Sequence, residues 1–182
     1  DVIRNSIKFV ISRKLVRVEE SQLKAFLLDS GLVKSDHLKE AEQEAITTGK
    51  SLQEVLLNKG LIKEPELKRL EAYILGIPFV DLTHESIPLQ ILQIVPEPIA
   101  RKHNLIAFRK VGKDLEVAML DPDDIQTIEF IRKKEGLRIL PRLTTPESLQ
   151  HVLKQYQKTL EAEFGEILKK EADTLIVSKE GG

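Results

Sequence analysis

The sequence contains no cysteine and no tryptophan, and only two tyrosines and one methionine occur among its 182 residues. Without cysteine, the chain can form no disulfide and no thiolate metal site, and it can have no cysteine nucleophile. With so few aromatic side chains, it also has no stacking platform for the bases of single-stranded nucleic acid. Several classes of enzyme and of nucleic-acid-binding module are therefore excluded.

The chain also has no excess of charge and no long apolar run. Its 28 basic and 29 acidic residues give a net charge of −1, whereas nucleic-acid-binding domains are usually strongly basic. No segment reaches the ~20 apolar residues that span a bilayer, and Lys8 and Arg13 interrupt any signal-peptide core. Hydrophobic residues still make up 41% of the chain, which is enough for a core. The chain starts at Asp1 and stops at Gly182, soon after the strand-like run 175–178, so we expect a fragment of a longer cytoplasmic protein.

Residues 1–18 are predicted to form a short amphipathic helix, because apolar residues such as Ile3, Ile7 and Val10 recur at helical spacing. The segment is also locally basic, and its cations are Arg4, Lys8, Arg13, Lys14 and Arg17. Two interpretations follow from this pattern. The helix either packs on the domain by its apolar stripe with solvated cations, or it presents a surface to anionic lipid or an acidic partner.

Residues 19–76 are predicted to form a bundle of short helices that contains an internal repeat. Glycines at helix-ending positions divide the segment, and Pro65 occupies an early helical position where its missing N–H is harmless. The stretches LKAFLLDSGLVKSDHLKEA and LQEVLLNKGLIKEPELKRL, which begin at Leu23 and Leu52, share one pattern of leucine, glycine and lysine. Their offset is 29 positions, from Gly31 to Gly60. Two helix–turn–helix units of this kind can share a single core.

Residues 77–157 differ in character and alternate short strands with short helices. The strand-like runs are 77–82, 105–109, 115–120 and 137–143, with a hairpin turn between the second and the third. Ser35 in the helical half and Asp121 in this half are expected to cap helices. Residues 158–182 are predicted to form a charged linker, an exposed helix broken at Gly165. The predicted fold is therefore α+β: an N-terminal bundle of short helices, followed by a small α+β domain with a mainly antiparallel sheet.

One short motif suggests nucleotide chemistry but has the wrong spacing. Gly49-Lys50-Ser51 resembles the end of a phosphate-binding loop, yet the first glycine of that motif would stand at Glu44. Such a loop also follows a strand, whereas this motif follows a predicted helix. Because a carboxylate at that place would repel phosphate, we interpret the motif as an inter-helix turn in which Ser51 caps the next helix.

The titratable residues show neither catalytic nor metal-binding spacing. None of His37, His84, His103 and His151 has a second histidine at H-x-x-x-H spacing. The acids around Asp121 stand at a predicted helix start, and they lack the glycine and the distal glutamate of a calcium loop. We therefore expect a binding or regulatory module with no catalytic residue, no metal and no cofactor of its own.

Four segments together resemble a known bacterial family. LGIPFVDL, IPLQILQIVPEPIARKHNLIAF, DLEVAMLDPDD and PRLTTPESLQHVLKQYQ occur in the order and with the gaps typical of the N-terminal region of type II secretion and type IV pilus-assembly ATPases. The resemblance covers about residues 20–157. It implies a non-catalytic docking or regulatory module, with the ATPase core missing from this chain. The implied partners are that core and protein components of an inner-membrane machine, at a peripheral cytoplasmic location and without nucleic acid.

In that family the helical half often carries two tandem motifs that bind cyclic di-GMP, and the repeat resembles this tandem. The resemblance implies these ligand-motif positions: Leu23, Lys24, Leu27, Leu28, Gly31, Leu38, Ala41, Leu52, Leu56, Leu57, Gly60 and Leu67. Gln22 and Ser51 stand where the motif has arginine, and Lys24 and Gln53 stand where it has its early glycine. Neither Gln nor Ser has the planar fork with which arginine reaches guanine and phosphate, although Lys24 still offers a cation. Docking is therefore the main hypothesis, with cyclic di-GMP sensing and a membrane-surface role of the basic helix as alternatives.

Overall fold

The computed structural model describes residues 18–177, without the side chains of residues 159, 160, 163 and 171–177. Apart from Val18, the predicted basic helix of residues 1–18 lies outside this range, and so do its five cations, Arg4, Lys8, Arg13, Lys14 and Arg17. The first half of the described chain consists of helices α1 (Glu20–Asp29), α2 (Ser35–Thr48), α3 (Leu52–Asn58) and α4 (Glu64–Leu75). Their inward side chains form one hydrophobic cluster, whose buried members are Leu23, Leu27, Val33, Leu38, Ala41, Leu52, Val55, Leu56, Ile62 and Leu67.

The helix starts in this half follow local chemistry, with one correction. Ser51 caps α3 in a reciprocal capping box: its hydroxyl accepts a hydrogen bond from Glu54 N at 3.2 Å, and the Glu54 carboxylate accepts one from Ser51 N at 3.0 Å. The prediction that Ser35 caps α2 was wrong. Lys34 holds the N-cap position without a side-chain cap, and Ser35 is already the first helical residue. A serine can cap only from the position that precedes the first helical turn.

From residue 77 the chain forms an α+β unit. Two short helices, α5 (Leu89–Leu92) and α6 (Glu97–His103), precede a hairpin of strands β1 (Leu105–Val111) and β2 (Asp114–Met119). Helix α7 (Ile125–Glu135) leads to β3 (Arg138–Leu143), and α8 (Pro146–Val177) ends the described chain. The α+β class predicted from the sequence is confirmed.

The three-stranded sheet has the order β1-β2-β3 and is mixed. Strands β1 and β2 are antiparallel because a tight turn joins them, whereas β2 and β3 are parallel because helix α7 crosses between them. The expected antiparallel pairing thus describes one of the two strand pairs. The strand predicted at 77–82 reduces to a single parallel bridge between Phe79 and Leu143, in which Val80 N donates to Leu143 O at 2.9 Å.

Two further local predictions in this half were wrong. The cap of α7 is Asp124, whose carboxylate accepts from Thr127 N at 3.1 Å; Asp121 instead accepts from a backbone N–H in the preceding turn. Helix α8 runs through Gly165 without a break and takes in residues 175–177, which resembled a strand. A glycine costs roughly 1 kcal/mol in a helix, and strong helix formers on both sides can offset that cost.

The sheet and the helices around it enclose a second hydrophobic cluster, which runs in sequence from Leu82 to Tyr156. Tyr156 is its last member, and beyond it no described side chain of α8 is buried. The first part of α8 therefore packs on the sheet unit, and the rest projects from it. The two hydrophobic clusters share no residue. The domain boundary expected between residues 76 and 77 stays a prediction.

Candidate functional site

The repeat expected from the sequence is also present in the helix boundaries. Helices α1 and α3 end 29 positions apart, at Asp29 and Asn58, and α2 and α4 begin the same distance apart. The turns that follow α1 and α3 repeat their hydrogen bonds as well. Gly31 N donates to the carbonyl three residues earlier at 3.0 Å, and Gly60 N makes the equivalent bond at 3.0 Å. The 29-residue register is therefore a repeat of structure and not only of leucines.

Most apolar positions of the expected ligand motif lie in the core. Seven of them are 0–3% exposed, namely Leu23, Leu27, Leu38, Ala41, Leu52, Leu56 and Leu67. Leu28 is 43% exposed, and Leu57 is half-buried against the same cluster. Packing between the two units explains the seven buried positions without a ligand, because each side chain fills the shared core.

The two repeat glycines have a conformational role. Gly31 and Gly60 adopt positive φ values of 69° and 65°, in the left-handed region that strongly favours glycine. A Cβ atom built on either residue would meet no other atom within 4 Å. Backbone conformation, and not close approach of another group within the described chain, therefore explains why these positions are glycine.

The polar positions at which a ligand would be expected are engaged within the protein. Ser51 holds the α3 capping box. Lys24 Nζ lies 2.9 Å from Glu42 Oε1 and 3.7 Å from Glu20 Oε1. The hydrogen bond to Glu42 raises the pKa of Lys24 above its ordinary value, although desolvation acts in the opposite direction. A phosphate at Lys24 would have to compete with Glu42.

Gly49-Lys50-Ser51 is the turn between α2 and α3, as the spacing predicted. Gly49 is the left-handed C-cap of α2, and Ser51 is the N-cap of α3. Glu44, at the place of the missing glycine, pairs with Lys59 at 2.7 Å. A phosphate-binding loop follows a strand and directs free backbone N–H groups at phosphate. This turn follows a helix, and the N–H of Ser51 is already bound to a carboxylate.

His103 takes part in a small polar cluster that joins the end of α6 to the start of α7. Its Nδ1 lies 2.8 Å from Asp124 Oδ2 and 2.7 Å from Thr127 Oγ1. Burial raises the pKa of Asp124, but the hydrogen bonds with Thr127 and His103 outweigh it and hold this pKa below its usual range. Thr127 is 5% exposed, so its hydroxyl cannot meet a substrate. Within residues 18–177 no group of three His, Asp or Glu side chains could hold a metal ion.

Sequence reasoning missed a charged cluster on the sheet. Glu116 on β2 is 9% exposed and lies between Arg109 on β1 and Arg142 on β3. Arg109 Nε donates to Glu116 Oε1 at 2.6 Å, and Arg142 Nε donates to Glu116 Oε2 at 2.9 Å. The available signal was a lone acid inside the apolar run Leu115 to Leu120. Arg109 lies across the β1–β2 hairpin, whereas Arg142 stands on β3 and is brought close only by the parallel pairing of β2 and β3.

Comparison with known proteins places these features in a family. The model of the MshEN domain matches residues 75–163. The type IV pilus assembly ATPase PilB of Myxococcus xanthus is 24% identical over 159 residues, which are 87% of this chain and 28% of the relative. PilB of Thermus thermophilus is 28% identical over 148 residues, 80% of this chain and 17% of the relative. The chain thus spans less than a third of either ATPase.

Two solved structures share the fold. The structure of MshE with cdg (cyclic di-GMP) has a TM-score of 0.62 at 23% identity, over 77% of this chain and 99% of that one. The N-terminal domain of XpsE has a TM-score of 0.53 at 24% identity, over 76% of this chain and 95% of that one. None of the helices described in residues 18–177 is long and apolar enough to cross a membrane. Residues 75–163, just under half of the chain, thus match the MshEN domain, and the chain resembles type IV pilus-assembly ATPases and shares its fold with the N-terminal domain of XpsE.

Proposed function

We propose that this chain is a docking and regulatory module, which attaches an assembly ATPase to a protein component of the inner-membrane machine. The projecting part of α8 carries this proposal. It continues from residue 157 to Val177, about 30 Å at 1.5 Å per residue. A helix segment whose described side chains are not buried is suited to connect a folded module to a partner.

The projecting part of α8 presents an apolar stripe. Phe164, Ile167 and Leu168 are 63%, 53% and 51% exposed, and their spacing places them on one face of the helix. Glu166 and Lys169 stand beside the stripe in the sequence and add both signs of charge. A protein with an apolar groove and complementary charges at its rim fits this surface, because apolar anchors and polar rims are typical of protein interfaces.

A binding assay with matched variants tests the docking proposal. The immobilised chain is exposed separately to purified cytoplasmic domains of platform and ring components of a pilus or secretion machine. We expect one domain to be retained, and Phe164→Ser with Ile167→Ser to weaken binding at least about tenfold. The control is Ile46→Ser with Tyr73→Ser, which removes two side chains of 77% and 72% exposure from the helical half. Retention of no domain, or equal loss in both variants, would contradict the proposal.

A second candidate function is cyclic di-GMP sensing on the helical repeat. The fold shared with MshE, which was solved with this ligand, and the 29-residue structural repeat support it. The capping box at Ser51 and the ion pair between Lys24 and Glu42 oppose it, because a ligand would have to compete with both. The apolar frame is intact, whereas the two arginines of the motif are replaced by Gln22 and Ser51 and its two early glycines by Lys24 and Gln53.

Calorimetric titration with cyclic di-GMP, compared with GMP, separates the two functions. If sensing is absent, the unaltered chain gives no specific heat at ligand concentrations well above ~10 μM. The variant with Gln22→Arg and Ser51→Arg restores the planar forks, and its binding would assign the loss to these two positions. If the unaltered chain binds cyclic di-GMP specifically and Lys24→Ala weakens this binding, sensing is the main function and docking is secondary.

A further inference from the structure

A cavity of about 360 Å³ lies on the sheet unit, and none of its lining residues belongs to the helical repeat motif. The segment that leads from α4 to α5 forms one part of its wall, and the sheet forms the other. Its size falls at the lower end of the ~300–1,000 Å³ range of small-molecule sites. Its lining combines charged with apolar side chains, among them Phe79, Asp81, Glu85, Phe108, Arg109 and Arg142.

The sheet supplies the cavity with cationic groups. Glu116 is shared by Arg109 and Arg142, so the three side chains together keep one net positive charge. Arg109 binds the carboxylate of Glu116 through Nε and Nη2. Arg142 donates to Glu116 through Nε and to Pro141 O through Nη1. Within the described chain, Arg109 Nη1 and Arg142 Nη2 have no acceptor. Two donors of a guanidinium pair are therefore free to bind a carboxylate, a group that arginine recognises well.

The segment that leads from α4 to α5 supplies the cavity with anionic groups. Asp81 Oδ1 accepts three hydrogen bonds, from Thr83 N, Thr83 Oγ1 and Ser148 Oγ. The bonds from Thr83 are the main cause that holds the pKa of Asp81 below its usual range, and this carboxylate is ionised at neutral pH. Its Oδ2 has no donor among residues 18–177, and the same holds for the carboxylate of Glu85. These oxygens can accept hydrogen bonds from an ammonium group.

An apolar surface completes the cavity. Phe79, Ile87 and Phe108 contribute it, and Ile87 is buried. Arg69 of helix α4 lies over the ring of Phe79, 5.0 Å from its centre, which holds that side chain in place. The cavity therefore combines free cationic donors, free anionic acceptors and an apolar wall.

We propose that this cavity binds a zwitterion of the α-amino-acid class with an apolar side chain. Its carboxylate would bind Arg109 and Arg142, its ammonium would bind Asp81 and Glu85, and its side chain would contact the apolar wall. A simple anion would meet the two carboxylates of the wall, and a simple cation would meet the arginine pair. Only a ligand with both charges satisfies both sets of groups. This site is independent of the docking surface on α8.

Titration of the whole chain with four compounds tests the proposal. L-phenylalanine and L-leucine carry both charges, whereas phenethylamine lacks the carboxylate and 3-phenylpropionate lacks the ammonium group. We expect at least one amino acid to bind, and removal of either charged group to weaken binding at least about tenfold. No binding of either amino acid up to about 10 mM, or equal binding of 3-phenylpropionate, would overturn the assignment.

Two variants locate the ligand. Glu85→Gln removes one exposed carboxylate without touching the Glu116 cluster, and it is expected to weaken amino-acid binding about tenfold while the thermal midpoint stays unchanged. Arg142→Gln is expected to abolish binding, and circular dichroism checks that this variant is folded. Glu40→Gln, an exposed glutamate on helix α2, is the matched control and should bind as the unaltered chain does. If Glu85→Gln and Glu40→Gln bind equally well, the ligand is not in this cavity.

Discussion

The hydroxyl of Tyr156 offers a sharp test of how α8 is attached to the sheet unit. Its oxygen lies 2.9 Å from Leu92 O and 2.8 Å from Val95 O, and the residue is 5% exposed. Replacing Tyr156 by phenylalanine removes this hydroxyl and leaves the packing of the ring unchanged. Leu92 O also accepts from Val95 N at 3.2 Å, so Val95 O is the acceptor that loses most.

The expected loss can be worked out from these contacts. A hydrogen bond contributes about 1 kcal/mol net, and an unsatisfied buried carbonyl costs about 1–3 kcal/mol. Since one proton served both carbonyls and Val95 is fully buried, we expect Tyr156→Phe to lower the free energy of unfolding by about 2 kcal/mol. For a chain of this size that corresponds to a fall in thermal midpoint of about 4–8 °C.

Urea titration of the two single variants provides the assay. The chain has two tyrosines, and Tyr73→Phe is the matched control because Tyr73 is 72% exposed. We expect the control to change the free energy of unfolding by less than about 0.5 kcal/mol. Each variant also leaves a single tyrosine, so its fluorescence reports on the helical half or on the sheet half alone.

The pH dependence gives an independent check. Burial, with a smaller effect of Glu97, raises the pKa of Tyr156 above its ordinary value of 10.0. The folded state therefore holds this proton where the unfolded chain loses it, so the stabilisation is complete below about pH 10 and declines above it. The unaltered chain should lose more stability than Tyr156→Phe between about pH 9 and about pH 11. Equal stability of the two phenylalanine variants, or parallel pH curves, would refute the assigned role of this hydroxyl.

Three further predictions concern the helical repeat and the predicted boundary. Ser51→Ala should destabilise the chain by about 1 kcal/mol because it removes the α3 cap, whereas Ser35→Ala should have no such effect. Urea unfolding midpoints of the two variants measure this, and equal midpoints would contradict the capping assignment. Leu23→Ala should cost about 2–5 kcal/mol because its side chain is fully buried, and Leu28→Ala, at 43% exposure, less than about 0.5 kcal/mol by the same measurement. A fragment of residues 77–177 should fold alone and unfold cooperatively by circular dichroism, since the first buried member of its core is Leu82. A non-cooperative melt would place the boundary elsewhere.

Local patterns accounted for the helical half. The 29-residue offset, the helix-ending glycines and the capping role of Ser51 are each visible within a few residues of sequence, and the structure has all three. The N-cap of α2 was predicted one position too late, at Ser35 and not at Lys34, because a cap depends on where the backbone first becomes helical. The family resemblance also came from local segments, and the MshEN match at residues 75–163 confirms it.

The candidate sites on the sheet unit required the tertiary structure. Arg109 lies seven residues from Glu116 across the β1–β2 hairpin, but Arg142 is 26 residues away and joins the cluster only because β2 pairs parallel with β3. The exposed stripe on α8 became visible only once Tyr156 was known to be the last core residue.

The sequence by itself thus determined the α+β class, the tandem helical repeat, the helix-ending turns and the family resemblance, because periodicity and turn chemistry act over a few neighbouring residues. Only the tertiary structure decided the parallel strand pair, the unbroken α8 and the charged cavity. Those features depend on register and packing between distant segments, which no local pattern encodes.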